Sequence, residues 1–227
     1  MFRHTAFFLF RDDITPEKVL HMQKGLAYMR YECKSVKGLD YGVDLFGGSD
    51  VRRKIKPFKR KPRWEGEPPC NYDIALMLDF ENAAGNEAYN KDDVHHEVGD
   101  YNASICDPEL TARVDWKYDG EFLITPGHVR HSAMFLWRED ATKRDKKEAQ
   151  EAVQNLGDAK GVEQVTIGRN NGKLTTDFDW IMDVQVRNKA AANDLIKSKA
   201  YKDAMKAVAP VTKFEWTARL SHEMRGI

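Results

Sequence analysis

The stretch FRHTAFFLFRDDIT at residues 2–15 is repeated as VRHSAMFLWREDAT at residues 129–142. The two copies are identical at eight of fourteen positions without a gap, and each carries a histidine at its third position, His4 or His131. Agreement over this length indicates an internal repeat. We therefore expect the two halves of the chain to form the same structural unit.

Each half contains the same order of predicted elements. The repeated stretch has two alternating, largely apolar faces, which predicts a buried strand, and Thr15 followed by Pro16 is typical of a helix start. Two more strands, a second helical stretch and a last strand follow. The last strands are predicted around two acid–tryptophan pairs, Asp115-Trp116 and Glu215-Trp216. This order, β-α-β-β-α-β, is the ferredoxin-like arrangement.

The repeat also predicts how the halves assemble. A four-stranded sheet with helices on one side leaves its other side apolar, and two tandem copies can bury both by packing sheet to sheet. We predict an α+β fold, in which two ferredoxin-like domains form an intrachain dimeric α/β barrel. The N-terminal domain is assigned to residues 1–120 with an insertion at about 47–71, the linker to 121–127, and the C-terminal domain to 128–227.

The composition bears on partners and compartment. The chain has 36 Lys and Arg against 36 Asp and Glu, so no net charge favours nucleic acid or a membrane surface. The opening apolar run is short, which predicts neither a signal peptide nor a membrane span. The three cysteines lack metal-site or disulfide spacing and predict free thiols. We expect a soluble, cytoplasmic protein whose partner is a small molecule.

Several motifs resemble those of one known family. The opening stretch, SVKGLDYG at 35–42 and YDIALMLDFENAAGNEAYNKDDVHH at 72–96 are similar to the stress-responsive α/β-barrel (Dabb) domain, a branch of the dimeric α/β-barrel superfamily. Members have a histidine in the first strand and a Tyr-x5-His segment, here His4, Tyr89 and His95. The N-terminal motif is similar to that of olivetolic acid cyclase. The resemblance implies cofactor-free proton abstraction next to a carbonyl or phenol, with carbon–carbon bond formation or cleavage.

The two halves differ at the residues of this motif. The third strands are 106 residues apart, as from Tyr72 to Phe178, so Tyr89 falls on Leu195 and His95 on Tyr201. The second half therefore keeps the strand histidine but lacks the tyrosine–histidine pair. This asymmetry predicts a single active site in the N-terminal half, although drift in a structural repeat could produce the same difference.

The predicted catalytic residues are His95, Tyr89 and His4. Histidine titrates near neutral pH, so His95 is assigned as the general acid/base. Tyr89 would donate a hydrogen bond to a developing enolate, and His4 would orient a phenol or carbonyl at the floor of an apolar cavity. The structural alternatives are that His4, retained as His131, is a core histidine, and that Tyr89 packs on the sheet.

No metal and no cofactor are predicted. Adjacent helical residues such as His95 and His96 point away from each other, so they do not converge on one ion. A site that uses His96 with nearby carboxylates is kept as a weak alternative.

The predicted insertion is rich in lysine and arginine, with interleaved aromatic residues. Since it lies in the half with the tyrosine–histidine pair, we interpret it as a lid whose basic residues capture an acidic or polar aromatic substrate. A solvated loop and a nucleic-acid patch are the alternatives. The predicted substrate-binding residues are Phe8, Arg60, Arg63, Trp64 and Tyr201.

The sequence thus predicts a cofactor-independent lyase or cyclase that acts on an aromatic or polyketide-like molecule. Two alternatives stay open, a non-catalytic stress-related ligand-binding protein and a cofactor-free monooxygenase of the dimeric α/β-barrel type. Beyond the intrachain pseudo-dimer, a homodimer of the whole chain is a further possibility.

Overall fold

The computed structural model describes residues 1–46, 71–119, 124–171 and 178–225. The N-terminal half contains strands β1 (Phe2–Phe8), β2 (Gly38–Val43), β3 (Ile74–Phe80) and β4 (Ala112–Lys117), and helices α1 (Pro16–Glu32), α2 (Ala83–Tyr89) and α3 (Asp93–Ile105). The C-terminal half contains strands β5 (Val129–Phe135), β6 (Val162–Arg169), β7 (Trp180–Val186) and β8 (Ala218–Glu223), and helices α4 (Lys143–Gln154), α5 (Lys189–Lys197) and α6 (Lys199–Val208). Short 3₁₀ turns lie at Pro108–Leu110, Asn155–Asp158, Ala209–Val211 and Phe214–Trp216.

Each half forms one four-stranded antiparallel sheet. The strand orders are β2-β3-β1-β4 and β6-β7-β5-β8, so the strand with the repeated histidine is central in both sheets. This is the predicted ferredoxin-like arrangement, and the α+β fold class is confirmed. None of the helices in the described ranges combines the length and the apolar character needed to cross a membrane.

The helix starts follow the local sequence. The hydroxyl of Thr15 accepts a hydrogen bond from the backbone N–H of Lys18, and Pro16 occupies the first turn of α1. The second helical stretch, predicted as continuous, is two helices in each half. Asp92 and Ser198 cap α3 and α6 by accepting backbone N–H groups, and each thereby starts a new helix.

The last strand of the second half lies further along the chain than predicted. Glu215 and Trp216 belong to a 3₁₀ turn and not to β8, which begins at Ala218. The local cause is a turn in which the Thr217 hydroxyl donates to the Phe214 carbonyl. The residue equivalent to Asp115 is therefore Ser221, because Asp115 pairs with His4 and Ser221 pairs with His131 in the strand registers.

The two sheets pack face to face, as predicted. Their shared core contains Phe7 and Val114 of one sheet and Ile181 and Leu220 of the other. Two glycines permit the close approach of edge strands. A Cβ on Gly42 would lie 2.9 Å from the Cβ of His222, and one on Gly168 would lie 2.1 Å from the ring of Trp116.

Hydrogen bonds between the halves close the barrel at both edges. Leu45 N–H donates to the Ser221 carbonyl at 2.8 Å, and Asn171 N–H donates to the Asp115 carbonyl at 2.6 Å. The two contacts involve equivalent residues and follow the pseudo-twofold relation of the repeat. The C-terminal half thus holds the backbone of β4 at Asp115.

A network of buried charges crosses the interface between the sheets. Arg3 contacts Asp79 at 2.9 Å and Asp183 at 3.3 Å, and Arg130 contacts Asp40 at 3.0 Å and also Asp183. All five side chains are buried. Because Asp183 accepts from both arginines, it links the repeated strands β1 and β5.

Candidate active site

A cavity of about 100 Å³ lies between the N-terminal sheet and its helices. Its floor includes His4, Ala6 and Phe8 of β1, which share one face of the strand, and Arg113 of β4, the strand neighbour of Ala6. Helices α1, α2 and α3 cover it with Met29, Tyr89, His95, Val98, Gly99, Asn102 and Ala103. The structure thus brings together four residues that the sequence singled out, His4, Phe8, Tyr89 and His95.

His4 forms a buried pair with Asp115. The two residues are opposite each other on β1 and β4, and His4 Nδ1 lies 2.6 Å from Asp115 Oδ1. The other carboxylate oxygen accepts a hydrogen bond from Asn86 Nδ2 at 3.2 Å. Burial by itself would raise the pKa of Asp115, but the hydrogen bonds from His4 and Asn86 outweigh it and lower the pKa. Asp115 is therefore ionised and accepts the Nδ1 proton of His4.

This pairing sets the chemistry of the His4 ring. A histidine whose Nδ1–H donates to a carboxylate has its tautomer and its orientation fixed, and a proton gained at Nε2 is stabilised by the partner's charge. Since His4 lines the cavity, Nε2 is the nitrogen with which it can act on a ligand.

Tyr89 lies between the two histidines of the cavity. Its ring centroid is 4.1 Å from that of His95 and 6.2 Å from that of His4, and its hydroxyl is 3.6 Å from the Met29 sulfur. Burial is the main cause that raises the pKa of Tyr89 above its usual value. The phenol stays protonated at neutral pH and is a hydrogen-bond donor.

His95 lies in the first turn of α3 and is half-buried. Its Nδ1 atom is buried and has no hydrogen-bond partner among the residues that the structure describes. Burial, followed by the neighbouring His4 and His96, lowers the pKa of His95 to about 4. Its imidazole is therefore neutral at pH 7, and the residue lines the cavity.

Arg113, Cys106 and Thr111 also belong to the polar part of the lining. The positive charge of Arg113 lies near the carboxylate of Asp115 and contributes to the lowered pKa of that group. Burial, together with Asp73, raises the pKa of Cys106 to about 12, so this cysteine stays a thiol. A protonated thiol is a poor nucleophile, which argues against cysteine chemistry at this site.

The histidine of the second half has a different environment. His131 is 0% exposed, and its two ring nitrogens lie 2.8 Å from the Ser221 hydroxyl and 2.7 Å from the Tyr201 hydroxyl. Burial, followed by the charge of Arg219, lowers its pKa to about 3. His131 is a neutral core residue with both nitrogens engaged, so it has neither a carboxylate partner nor a nitrogen left for a ligand.

The equivalence of the halves extends over the whole site. Asn82 and Asn188 cap α2 and α5 in the same way, and Cys106 bridges Phe10 where Thr212 bridges Trp137. At equivalent positions, the second half replaces the residues around the histidine as follows: Asp115 by Ser221, Asn86 by Ala192, Tyr89 by Leu195, His95 by Tyr201, Gly99 by Met205 and Asn102 by Val208. Arg113 is retained as Arg219, because each pairs with the equivalent alanine of the repeated strand. The other polar groups around His4 and the space of the site are particular to the N-terminal half.

The remaining predicted site residues have different outcomes. Tyr201 is not in the N-terminal cavity, which corrects its assignment to substrate binding, because α6 packs on its own sheet and directs Tyr201 to His131. Arg60, Arg63 and Trp64, with the predicted lid, lie outside the described residues. His96 is exposed, and no group of three or more metal-ligating side chains occurs in the described ranges.

Four residues to which the site owes its polar character were not predicted, Asp115, Asn86, Asn102 and Arg113. The partner of His4 is 111 positions away in sequence, and only the strand register places it there. One usable signal was the spacing of 106 residues, which aligns Asp115 with Ser221. The two acid–tryptophan pairs instead suggested that Asp115 corresponds to Glu215.

Comparisons with known proteins agree on the fold. No family model matches the chain. No curated protein sequence matches it either. Among solved structures, an anthrone oxidase-like protein is similar with a TM-score of 0.63 and 12% identity, over 99% of this chain and 91% of that one.

Two candidate monooxygenases are also similar over the whole chain. The one from Fusobacterium nucleatum has a TM-score of 0.58 at 10% identity, over 98% of this chain and 91% of that one. The one from Lactobacillus acidophilus has a TM-score of 0.52 at 11% identity, over 99% and 92%. At these identities the likeness shows the fold alone. The chain has the ferredoxin-like, dimeric α/β-barrel fold in a tandem form.

Proposed function

We propose that this protein is a cofactor-independent enzyme of the Dabb branch, whose active site is the N-terminal cavity. The reaction is a proton abstraction next to a carbonyl or from a phenol, followed by carbon–carbon bond cleavage or formation. The observation that carries the proposal is the difference between the halves. An ionised carboxylate, a phenol, a second imidazole and open space surround His4, while a serine, a leucine, a tyrosine and a methionine take their places around His131.

His4 is the general base in this proposal. Its Nδ1–H is held by Asp115, so Nε2 can accept the substrate proton, and the imidazolium formed is stabilised by the carboxylate. The sequence assigned the acid/base role to His95. With a pKa of about 4, His95 holds a proton poorly at neutral pH, so we transfer that role to His4.

The negative charge that forms on the substrate oxygen has three stabilising groups in the cavity. Tyr89 donates its phenolic proton, neutral His95 donates an N–H, and Arg113 contributes a fixed positive charge. Preorganised donors of this kind stabilise a developing oxyanion without reorganisation during the reaction.

The size of the cavity restricts the substrate. Its volume of about 100 Å³ is smaller than the engineered cavity of about 150 Å³ that binds benzene. We infer that only the reacting carbonyl or phenol, or a correspondingly small molecule, occupies it in this conformation. An aromatic or polyketide-like substrate would place the rest of its structure outside.

A second candidate function is a cofactor-free monooxygenase. Its support is that the full-length fold neighbours above carry that name or that of anthrone oxidase. The same proton abstraction would produce a carbanion, which then transfers electrons to O₂. The two candidates therefore share the His4–Asp115 pair and differ in their need for oxygen.

Deuterium exchange tests the shared step and oxygen distinguishes the candidates. The protein is incubated in D₂O with 2-butanone, acetophenone or resorcinol, under argon and under air, and exchange is followed by NMR. We expect exchange under argon that falls by about 100-fold or more in His4→Gln, as is usual for loss of a general base. Exchange that is unchanged in His4→Gln would refute the assigned base. Product formation that requires air would favour the monooxygenase.

A further inference from the structure

Asn102 is a buried polar residue of the cavity that the proposed reaction does not use. It lies on α3, seven residues after His95, and it lines the same cavity. Only 5% of the residue is exposed, and its Oδ1 atom has no hydrogen-bond partner among the described residues. A buried amide oxygen without a partner destabilises a fold, so it calls for an explanation.

The second half shows that the fold does not require an amide at this position. The equivalent residue is Val208, which is 0% exposed and packs in the core of the C-terminal half. The same helix on the same kind of sheet therefore accepts an apolar side chain. The backbone carbonyl of Asn102 accepts the N–H of Cys106 at the end of α3, a contact that does not depend on the side chain.

The position of Asn102 within the cavity is opposite to the reacting end. Tyr89 contacts His4 and His95 at one end. At the other end, Cys106, the residue after α3, forms a β-bridge with Phe10 just beyond β1. Helix α3 and strand β1 thus run side by side along the cavity. A rise of 1.5 Å per residue puts Asn102 about 10 Å from His95 along the helix axis.

We propose that Asn102 binds a second polar group of the substrate, a hydroxyl or N–H that donates to Oδ1. The substrate is then a small bifunctional molecule, with a carbonyl at His4 and a hydrogen-bond donor at Asn102. A β-hydroxy ketone has this chemistry. The inference of a carbonyl group at His4 rests on the proposed function, whereas the inference of a hydrogen-bond donor rests on Asn102 alone.

Binding of a matched pair of probes tests this inference without turnover. The pair is 4-hydroxy-2-butanone and 2-butanone, and the dissociation constants are measured by ¹H–¹⁵N NMR titration of the full chain. We expect the hydroxy ketone to bind at least about tenfold more tightly, since the hydrogen bond satisfies a buried acceptor. In Asn102→Val the ratio should fall to within about twofold, while the melting temperature rises because the unpaired amide is removed.

A second buried asparagine provides the control. Asn71 donates to the Thr217 carbonyl and accepts from the Arg219 N–H, and it is not part of the cavity lining. Asn71→Val should therefore lower the melting temperature and leave the ratio of the two dissociation constants unchanged.

The proposal is overturned if the wild-type protein binds both ketones equally or binds neither. The same result is expected if water is the sole partner of Asn102. The proposal is also overturned if Asn102→Val keeps the preference for the hydroxy ketone. Failure of the proposed reaction gives a different result, because His4→Gln would then leave deuterium exchange unchanged while the Asn102-dependent preference persists.

Discussion

Asp115 and Ser221 occupy equivalent positions in the two halves, each opposite the histidine of its own first strand. Asp115 is a carboxylate that lies 2.6 Å from His4, whereas Ser221 is a hydroxyl that lies 2.8 Å from His131. The shared histidine therefore has a carboxylate partner in hydrogen-bond contact in one half only. Together with the replacements of Asn86, Tyr89 and His95, this difference gives the two histidines different surroundings.

Exchanging the residue at this position should abolish proton transfer. In Asp115→Ser the His4 ring loses its carboxylate, so the imidazolium is no longer stabilised, and we expect deuterium exchange of 2-butanone to fall by about 100-fold or more. The reverse change, Ser221→Asp, is the control. It should create no activity, because Tyr201 engages the other nitrogen of His131. Exchange that persists in Asp115→Ser would contradict the role of the pair.

Gly99 keeps the cavity open at some cost to helix stability. A Cβ at this position would meet nothing within 4 Å. Gly99→Ala should therefore raise the free energy of unfolding by about 0.5–1 kcal/mol, because alanine loses less backbone entropy in a helix. Urea unfolding measures this change.

The larger substitution Gly99→Met introduces the residue that the second half has at this position, Met205. We expect the methionine to fill the cavity, so that the protein folds normally while 2-butanone no longer binds in NMR titrations. Unaltered binding in Gly99→Met would show that ligands enter elsewhere.

Acid should destabilise the protein through His95 and His131, whose pKa values are lowered in the folded state. The folded-state pKa is about 4 for His95 and about 3 for His131, against about 6.5 for a histidine in the unfolded chain. The unfolded chain therefore binds more protons as the pH falls below 6.5. The contribution of each histidine to the free energy of unfolding is fully present above pH 6.5. It declines towards pH 4, by up to about 1.4 kcal/mol for each unit of pH and each histidine.

Urea unfolding at pH 7 and pH 5 checks this pH dependence. In His131→Asn the slope of stability against pH should be smaller than in wild type, because one of the two linked protons is removed. His21 lies on the exposed side of α1. His21→Asn should leave the slope as it is. A wild-type stability that is equal at both pH values would contradict the prediction.

The buried charge network should be essential for joining the halves. Asp183→Asn removes the carboxylate that Arg3 and Arg130 share, and it leaves two buried guanidinium groups with less compensation. Loss of one partner from a buried network typically costs about 3–5 kcal/mol. We expect a loss of this size in urea unfolding. The exposed pair of Arg138 and Asp140 is the matched control, and Asp140→Asn should leave stability unchanged.

The repeat was sufficient to predict the fold. Strand alternation, the Thr15 cap and the spacing of 106 residues are local or periodic signals, and each element that they predicted is present in the structure. Two details were wrong for local reasons. A side-chain cap at Asp92 divides the predicted helical stretch, and a turn at Thr217 delays β8 and shifts its alignment.

The sequence by itself determined that two ferredoxin-like units occur in tandem, and that Tyr89 and His95 have counterparts of a different kind in the second unit. These facts depend on residue types and spacings, which the chain carries directly. Only the tertiary structure decided that Asp115 holds His4, that Tyr201 faces His131, and that Oδ1 of Asn102 is buried with no hydrogen-bond partner in the part of the chain that the structure describes. The reason is that each of these contacts depends on strand register or on how a helix sits over its sheet, and both are set by packing of the whole barrel.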